Sequence, residues 1–520
     1  MEFRVAEIVR RYAREQGGAP MLTCGDRTLT YAEVDERSNR AAQALAGEGI
    51  GPQDRVAFLD KNGTEFWELQ FGAAKLGAVI VSVNWRLAPR EIAWIIDDAR
   101  APVLVVGPDF YAAVEEIEGQ LTSVKKIVAV GEHPRWPSYE SWLAGADPAD
   151  PATETAGSDI ALQLYTSGTT GLPKGAMISH DNLAALLSDD GPNWGMDATS
   201  TSLLVMPLFH IAGAGWGLVG MARGARTVIA REFDPAKVLA GLEDEHVTHT
   251  FFVPVMLQVL SSLPGAQDRE YRDLRHIFYG ASPITEAVLT RALQTFRHTE
   301  FHQVYGLTET TGAITQLDHE DHDPGGSRAH LLRSAGRPYP HVELRIIDPQ
   351  TGAEAPRGTV GELWTRSPQN VAGYWAKPEE SARAFREGGW FATGDAGYLD
   401  EDGYLFLTDR IKDMIVSGGE NVYPIEVENV LGGHPEVAEV AVIGVPDDKW
   451  GEAVKAVVVR RPGGQVGEGD LIAYARGRLA GFKCPKSVDF AEELPRNPSG
   501  KLLKKDLRAP YWEGRDRQIG

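Results

Sequence analysis

The 520-residue chain predicts an α/β fold: α/β subdomains with largely parallel sheet, then an antiparallel β-barrel-like unit, then a small α+β segment. Three observations carry that expectation. From about residue 28 to 310, short β-branched runs alternate with helix-patterned stretches. Between about 335 and 410, short strands are divided by Gly, Pro and Asp turns. After about 411 the texture becomes mixed and compact.

The elements follow in order. Glu2 to Arg10 reads as an amphipathic helix and not as a signal peptide. Val56-Ala57-Phe58-Leu59, Val79 to Val83, Val103-Leu104-Val105-Val106 and Lys126 to Val130 read as buried strands, with a helix over Thr64 to Leu76 between the first two. Residues 144–158, rich in Ala, Asp, Pro and Thr, read as a surface linker. Val342 to Ile346, Gly361 to Trp364 and Gly403 to Leu407 supply strands of the antiparallel unit. A helix opens at Pro424, strands follow near 440–445 and 454–459, and a helix near 470–480.

Composition narrows the function classes. At this length two or more domains are expected. The net charge of −21 argues against nucleic acid or an anionic membrane as a general partner. Two cysteines, Cys24 and Cys484, make neither a zinc site nor a disulfide framework, and point to a reducing, cytoplasmic setting. The longest apolar run, Ile211 to Ala222, is too short to span a bilayer.

One segment stands apart. Thr166-Ser167-Gly168-Thr169-Thr170-Gly171 follows the strand-like Ile160 to Leu164 and leads through Leu172-Pro173 to Lys174 and Gly175. Such a loop offers backbone N–H groups, hydroxyls and one cation to a polyphosphate. It is not a Walker A loop, because Pro173 precedes Lys174 and Gly175 follows it, and the G-x-G-x-x-G spacing is absent. Four further segments stand out: Val304-Tyr305-Gly306-Leu307-Thr308-Glu309-Thr310; Thr393-Gly394-Asp395; Asp409-Arg410-Ile411-Lys412-Asp413 with Ser417-Gly418-Gly419; and Pro495-Arg496-Asn497-Pro498-Ser499-Gly500-Lys501.

In this order the five segments resemble the adenylate-forming superfamily of AMP-forming acyl-CoA synthetases, luciferases and peptide-synthetase adenylation domains, over nearly the whole chain. The resemblance implies a large N-terminal domain (1–411) holding ATP and acid, and a small mobile C-terminal domain (412–520). It implies ATP, Mg²⁺ and coenzyme A as reaction partners, and a small-molecule carboxylic acid as substrate. The acid is activated as an acyl-adenylate and passed to a thiol.

The residue roles it implies are these. Lys501 is the cation at the junction of carboxylate and α-phosphate, the alternative being an exposed tail lysine. Glu309 is an oxygen ligand to Mg²⁺ and Thr308 a donor to the α-phosphate, where helix-start capping is the plain alternative. Tyr305, Gly306 and Gly280-Ala281-Ser282 form the adenine slot, Ser282 being a mild departure from the family pattern. Asp395 and Arg410 take the ribose, against turn chemistry and a surface ion pair. Lys412 is the hinge, Ser417-Gly418-Gly419 line the thiol tunnel, and His210 borders the acyl and thiol channels, with Ile211, Trp216 and Val304 as candidate acyl walls. Lacking an acidic residue at Phe209-His210-Ile211, the pocket disfavours an amino acid; a fatty acid is the leading expectation, aryl acids close behind, and loading of a carrier protein the alternative outcome. Asp318 to Asp323 reads as a solvated acidic loop and Lys504-Lys505 as a surface face.

Overall fold

The computed structural model describes residues 3–166, 172–188, 194–410, 413–417, 420–447, 449–496 and 502–513, with the backbone alone at 409, 410, 420 and 421. Among these residues the strands form four sheets.

The first sheet runs Lys126–Ala129, Val103–Val106, Arg55–Leu59, Val79–Ser82, Ile160–Thr166, Lys174–Ser179, all parallel except the last pair. Its strands are apolar at successive positions because both faces are covered. Val103 and Val105 enter one core while Leu104 and Val106 enter another. The helix Thr64–Leu76 spans the predicted residues and stops where Gly77 turns left-handed at φ 74°.

The second sheet carries the strands that matter most for the site. Its order is Arg337–Pro338, Gly312–Leu317, Glu300–Leu307, His276–Gly280, His249–Phe252, Thr201–Leu204, Arg226–Ile229, Pro20–Cys24, Arg27–Thr30. The middle is parallel and the ends antiparallel. Register places His249, His276 and Glu300 in one cross-strand row, and Phe251, Phe278 and His302 in the next. Residues two apart share a face, so both rows lie on the same side, below Gly280 and Val304.

The helix Ile211–Ala222 packs on that side. It contains glycines at 213, 215, 217 and 220, poor helix formers on their own. Packing overrides the preference: a Cβ at Gly213 would lie 2.2 Å from the Pro207 oxygen, and one at Gly217 2.4 Å from the Trp67 ring.

The antiparallel unit pairs Glu343–Ile347, Gly361–Arg366, Trp390–Leu399 and Phe385–Arg386, with Leu405–Arg410 on Trp390–Leu399. A small C-terminal domain has its own sheet, Glu420–Val422, Ile415–Ser417, Gly451–Arg460, Val437–Asp447, with Ser487–Phe490 added, over its own apolar core. Among the described residues no helix is long and apolar enough to cross a membrane, and both cysteines are free thiols.

Candidate active site

The strand Ile160–Thr166 ends at Thr166, whose hydroxyl lies 3.4 Å from Glu309 Oε1. Tyr374 donates its hydroxyl to the same oxygen at 2.9 Å. Glu309 sits in the short turn Thr308–Thr310 that follows Glu300–Leu307. The turn is held tightly. Thr310 Oγ1 accepts from Leu307 N at 2.8 Å, Thr311 is left-handed at φ 51°, and its hydroxyl donates to Gln369 O at 2.6 Å. The Gln369 amide returns bonds to the Thr310 and Ala313 oxygens, at 3.1 and 3.0 Å, and Val371 N donates to Glu309 O at 2.9 Å.

The chain then lays Tyr374 and Trp375 along the strand Lys174–Ser179, with Trp375 N donating to Gly175 O at 2.8 Å. Lys174 Nζ lies 5.3 Å from the Tyr374 ring centroid, in cation–π range. Just before Thr166, the Tyr165 hydroxyl donates to Asp98 at 2.7 Å; burial first, and that carboxylate second, push the phenol well above its usual range. Thr166 and Lys174, on either side of the candidate phosphate segment, are thus each braced by neighbouring side chains.

Towards the ends of two strands, main chain packs directly on main chain. A Cβ at Gly280 would come 2.1 Å from the Val304 oxygen, and one at Gly306 1.9 Å from the Gly312 oxygen. Ala281 takes φ +65°, a conformation that costs a non-glycine residue energy. Ser282 follows, half-buried. Tyr305 donates its hydroxyl to Asp395 Oδ2 at 2.7 Å, and Asp395 N donates to Thr393 Oγ1 at 3.1 Å. Asp395 is buried and lies opposite Arg410 in register.

His210 caps the helix Ile211–Ala222 by accepting from Ala212 N at its Nδ1, 3.1 Å away. A neutral ring therefore carries its proton at Nε2. His210, Ile211, Trp216, Trp194, Val304 and Gly306 line a cavity of about 60 Å³. The Trp194 and Trp216 rings stack at 5.1 Å. Each indole is fixed by a hydrogen bond, Trp216 to Leu203 O and Trp194 to Gln316, both at 3.1 Å. The result is a rigid wall.

The sequence profile described as AMP-binding enzyme matches residues 9–375, and that of the AMP-binding enzyme C-terminal domain matches 426–501. The chain belongs to the AMP-binding enzyme family. It is 40% identical to the fatty acid–[acyl-carrier-protein] ligase ScoC of Streptomyces coeruleorubidus, over 98% of this chain and 96% of that one. It is 38% identical to a feruloyl-CoA synthase of an Amycolatopsis species, over 96% and 98%. ATP-bound MatB from Rhodopseudomonas palustris superposes with a TM-score of 0.88 at 30% identity, covering 98% of this chain and 99% of that one. As a member of this family the chain is an ATP-dependent, adenylate-forming acid–thiol ligase.

Within that family framework, the structure brings Thr166, Lys174, Thr308 and Glu309 to one corner, Tyr305 to Asp395, and His210, Ala281 and Gly306 to one cavity. All three candidate acyl walls, Ile211, Trp216 and Val304, line it. Ser417 is buried in the C-terminal sheet, opposite Glu420. Ser167, Gly168, Thr169, Thr170, Gly171, Lys412, Gly418, Gly419 and Lys501 lie outside the described residues, as does the side chain of Arg410.

His210 lies beyond the strand Thr201–Leu204 and caps the helix that follows. Two readings change. The acidic run 318–323 is not simply solvated. Asp321 is buried, accepting from the Tyr404 hydroxyl at 2.9 Å and pairing with Arg328 at 2.8 Å, and His322 is buried against the Tyr279 hydroxyl at 2.9 Å. Lys504 is not on an open face either, since it pairs with Glu428 at 2.9 Å. Gln369 and Tyr374 escaped the sequence reading; the aromatic pair Tyr374-Trp375 after Gly373 was the available signal.

Proposed function

We propose that the chain activates a compact hydrophobic carboxylic acid and transfers it to coenzyme A. The observation carrying this reading is Glu309, held by Thr166 and Tyr374 at the exit of a phosphate-binding segment, with the Trp-walled cavity next to it. In the first half-reaction a carboxylate oxygen bonds to the α-phosphorus of ATP and pyrophosphate leaves with the bridging oxygen. In the second, thiol sulfur bonds to the acyl carbon, AMP leaves with its oxygen, and the thiol proton is lost.

The first step sets two anions against each other. At about 4 Å and an effective dielectric near 20, each like-charge pair costs roughly 4 kcal/mol. Cations and fixed donors aimed at the junction are therefore the main resource. Lys501 is the cation assigned to it, delivered by residues 412–520 turning about Lys412, a position suited to absorbing backbone rotation. After the turn, Ser417-Gly418-Gly419 line the path of the thiol arm. Asp395 accepts the ribose hydroxyls, with Arg410 beside it, and the purine lies on the Gly280 and Gly306 backbone.

A carboxylate oxygen flanked by two hydroxyls is a hard-oxygen donor set that suits Mg²⁺, with Glu309 as the protein ligand. When bound, the ion neutralises charge on the triphosphate.

Cavity size supports the acid class. Pockets for drug-sized ligands run to about 300–1,000 Å³, whereas this one is about 60 Å³ behind a fixed Trp194–Trp216 stack. A short alkyl chain or a single ring suits it; a long fatty tail needs that stack to part. The carrier-protein reading is favoured by one observation, the 40% identity to the fatty acid–[acyl-carrier-protein] ligase ScoC.

The test is acid-dependent pyrophosphate release and hydroxamate trapping across alkyl acids of increasing length and single-ring aryl acids, followed by AMP release with CoA or with a carrier protein. Compact acids turn over and CoA completes the reaction; formation of ADP and orthophosphate would end the proposal. Lys501→Ala lowers adenylation at least about 10²-fold, the loss typical of removing one stabilising donor. Thioester formation from supplied acyl-adenylate survives in the same variant.

A further inference from the structure

At the strand starts of the second sheet, away from the ends that form the nucleotide corner, three ligand-type atoms converge. His276 Nδ1 lies 3.3 Å from His302 Nε2 and 3.3 Å from Glu300 Oε2, and His302 Nε2 lies 3.7 Å from that carboxylate oxygen. Register explains the meeting. His276 and Glu300 are direct cross-strand neighbours, and His302 is two residues further along the same strand face.

We propose that His276, Glu300 and His302 form a binding site for a divalent transition metal of the zinc class, distinct from the magnesium position at Glu309. Zinc holds nitrogen and oxygen ligands at about 2.0–2.2 Å in a tetrahedron, which sets its ligand atoms roughly 3.3–3.5 Å apart. The observed triangle has two edges at that length and one slightly longer. Two imidazoles and a carboxylate also match zinc's ligand preference rather than that of magnesium.

Glu300 is about half exposed, which gives the ion a path in and leaves a fourth position to water. Unlike most metal-bound histidines, His302 has no partner for its buried Nδ1 among the described residues. Loss of such bracing weakens metal sites about 10–100-fold, so this centre is weaker than a fully braced one.

The placement gives the site a structural consequence. His302 stacks on Phe278 at 4.7 Å, and Phe278 packs on Trp194 at 4.9 Å and Trp216 at 5.6 Å. A bound ion ties the two strands together directly behind the wall of the acid cavity.

The experiment uses the full chain, stripped with a chelator and titrated with ZnCl₂ by calorimetry in excess Mg²⁺, with the thermal midpoint recorded alongside. One zinc per chain binds and raises the midpoint, and Glu309→Gln binds the same amount. His276→Asn, His302→Gln and Glu300→Gln each weaken binding at least about tenfold. The last lies at a half-exposed position, so its fold is safe. Absence of zinc binding, or equal binding by all three variants, overturns the site and leaves the cluster as hydrogen-bonded histidines only.

Discussion

The two parallel sheets are built alike and used differently. In the first, Arg55–Leu59, Val79–Ser82 and Val103–Val106 are buried at every position, and alternate residues feed two apolar cores. In the second, His249–Phe252, His276–Gly280 and Glu300–Leu307 carry imidazoles and a carboxylate where they begin, aromatic rings in mid-strand, and glycine where two of them approach their ends. In the first, these inner strands are scaffold, while the outer pair carries Thr166 and Lys174. The second packs main chain against main chain at Gly280 and Gly306, and it places polar groups where a purely structural sheet would not.

Substitutions matched across the sheets sharpen that contrast. The largest effect is expected at Gly306→Val. The added atoms collide with the Gly312 oxygen, and displacement of about 1 Å near reacting groups costs about 10²-fold; acid-dependent pyrophosphate release measures it. Tyr305→Phe removes one hydrogen bond to a carboxylate at 2.7 Å. Such bonds are worth about 1.5–3 kcal/mol, so the KM for ATP rises roughly ten- to a hundredfold with the acid KM little changed.

In the first sheet the matched change is Val81→Ala, at a fully buried position. It lowers stability by about 2 kcal/mol, between the usual costs of smaller and larger core truncations, and leaves both KM values alone. A kinetic defect at Val81 equal to that at Gly306 would erase the distinction.

One effect is shared by the two sheets. His180, which accepts from Val5 N at 3.2 Å beside the first sheet, and His322, against Tyr279 of the second, are each lowered to about 4, chiefly by burial. Between about pH 6.5 and 4 the unfolded chain binds protons that the native state refuses. Stability therefore falls as pH drops through that window, by up to about 1.4 kcal/mol per unit for each ring. Denaturant midpoints at pH 7, 5 and 4 measure it, and a flat profile refutes it.

The contrast also explains what was legible in the sequence. The parallel strands of the first sheet are visible to within a residue or two, because a run such as Val103-Leu104-Val105-Val106 has one good solution, burial on both faces. The chemical segments were visible because glycine, hydroxyl and charge cluster locally. What escaped depends on distant partners. Tyr374 reaches Glu309 from 65 positions away. Asp321 is buried by Tyr404, 83 positions on. A charge run reads as solvated until the group that covers it is known, and Asp318 to Asp323 carries no local sign of that group. The helix Ile211–Ala222 defeats glycine's propensity for the same reason, since Trp67 and Pro207 decide it.

The absence of room at Gly280 and Gly306 has a consequence for how such an enzyme can diversify. If the purine lies on peptide planes, the choice of nucleotide has no side chain through which single changes can retune it, and almost any replacement there is punished by collision. The cavity beside His210, in contrast, is bounded by side chains. If it takes the acid, descendants of this chain are free to acquire new acids while remaining bound to one nucleotide.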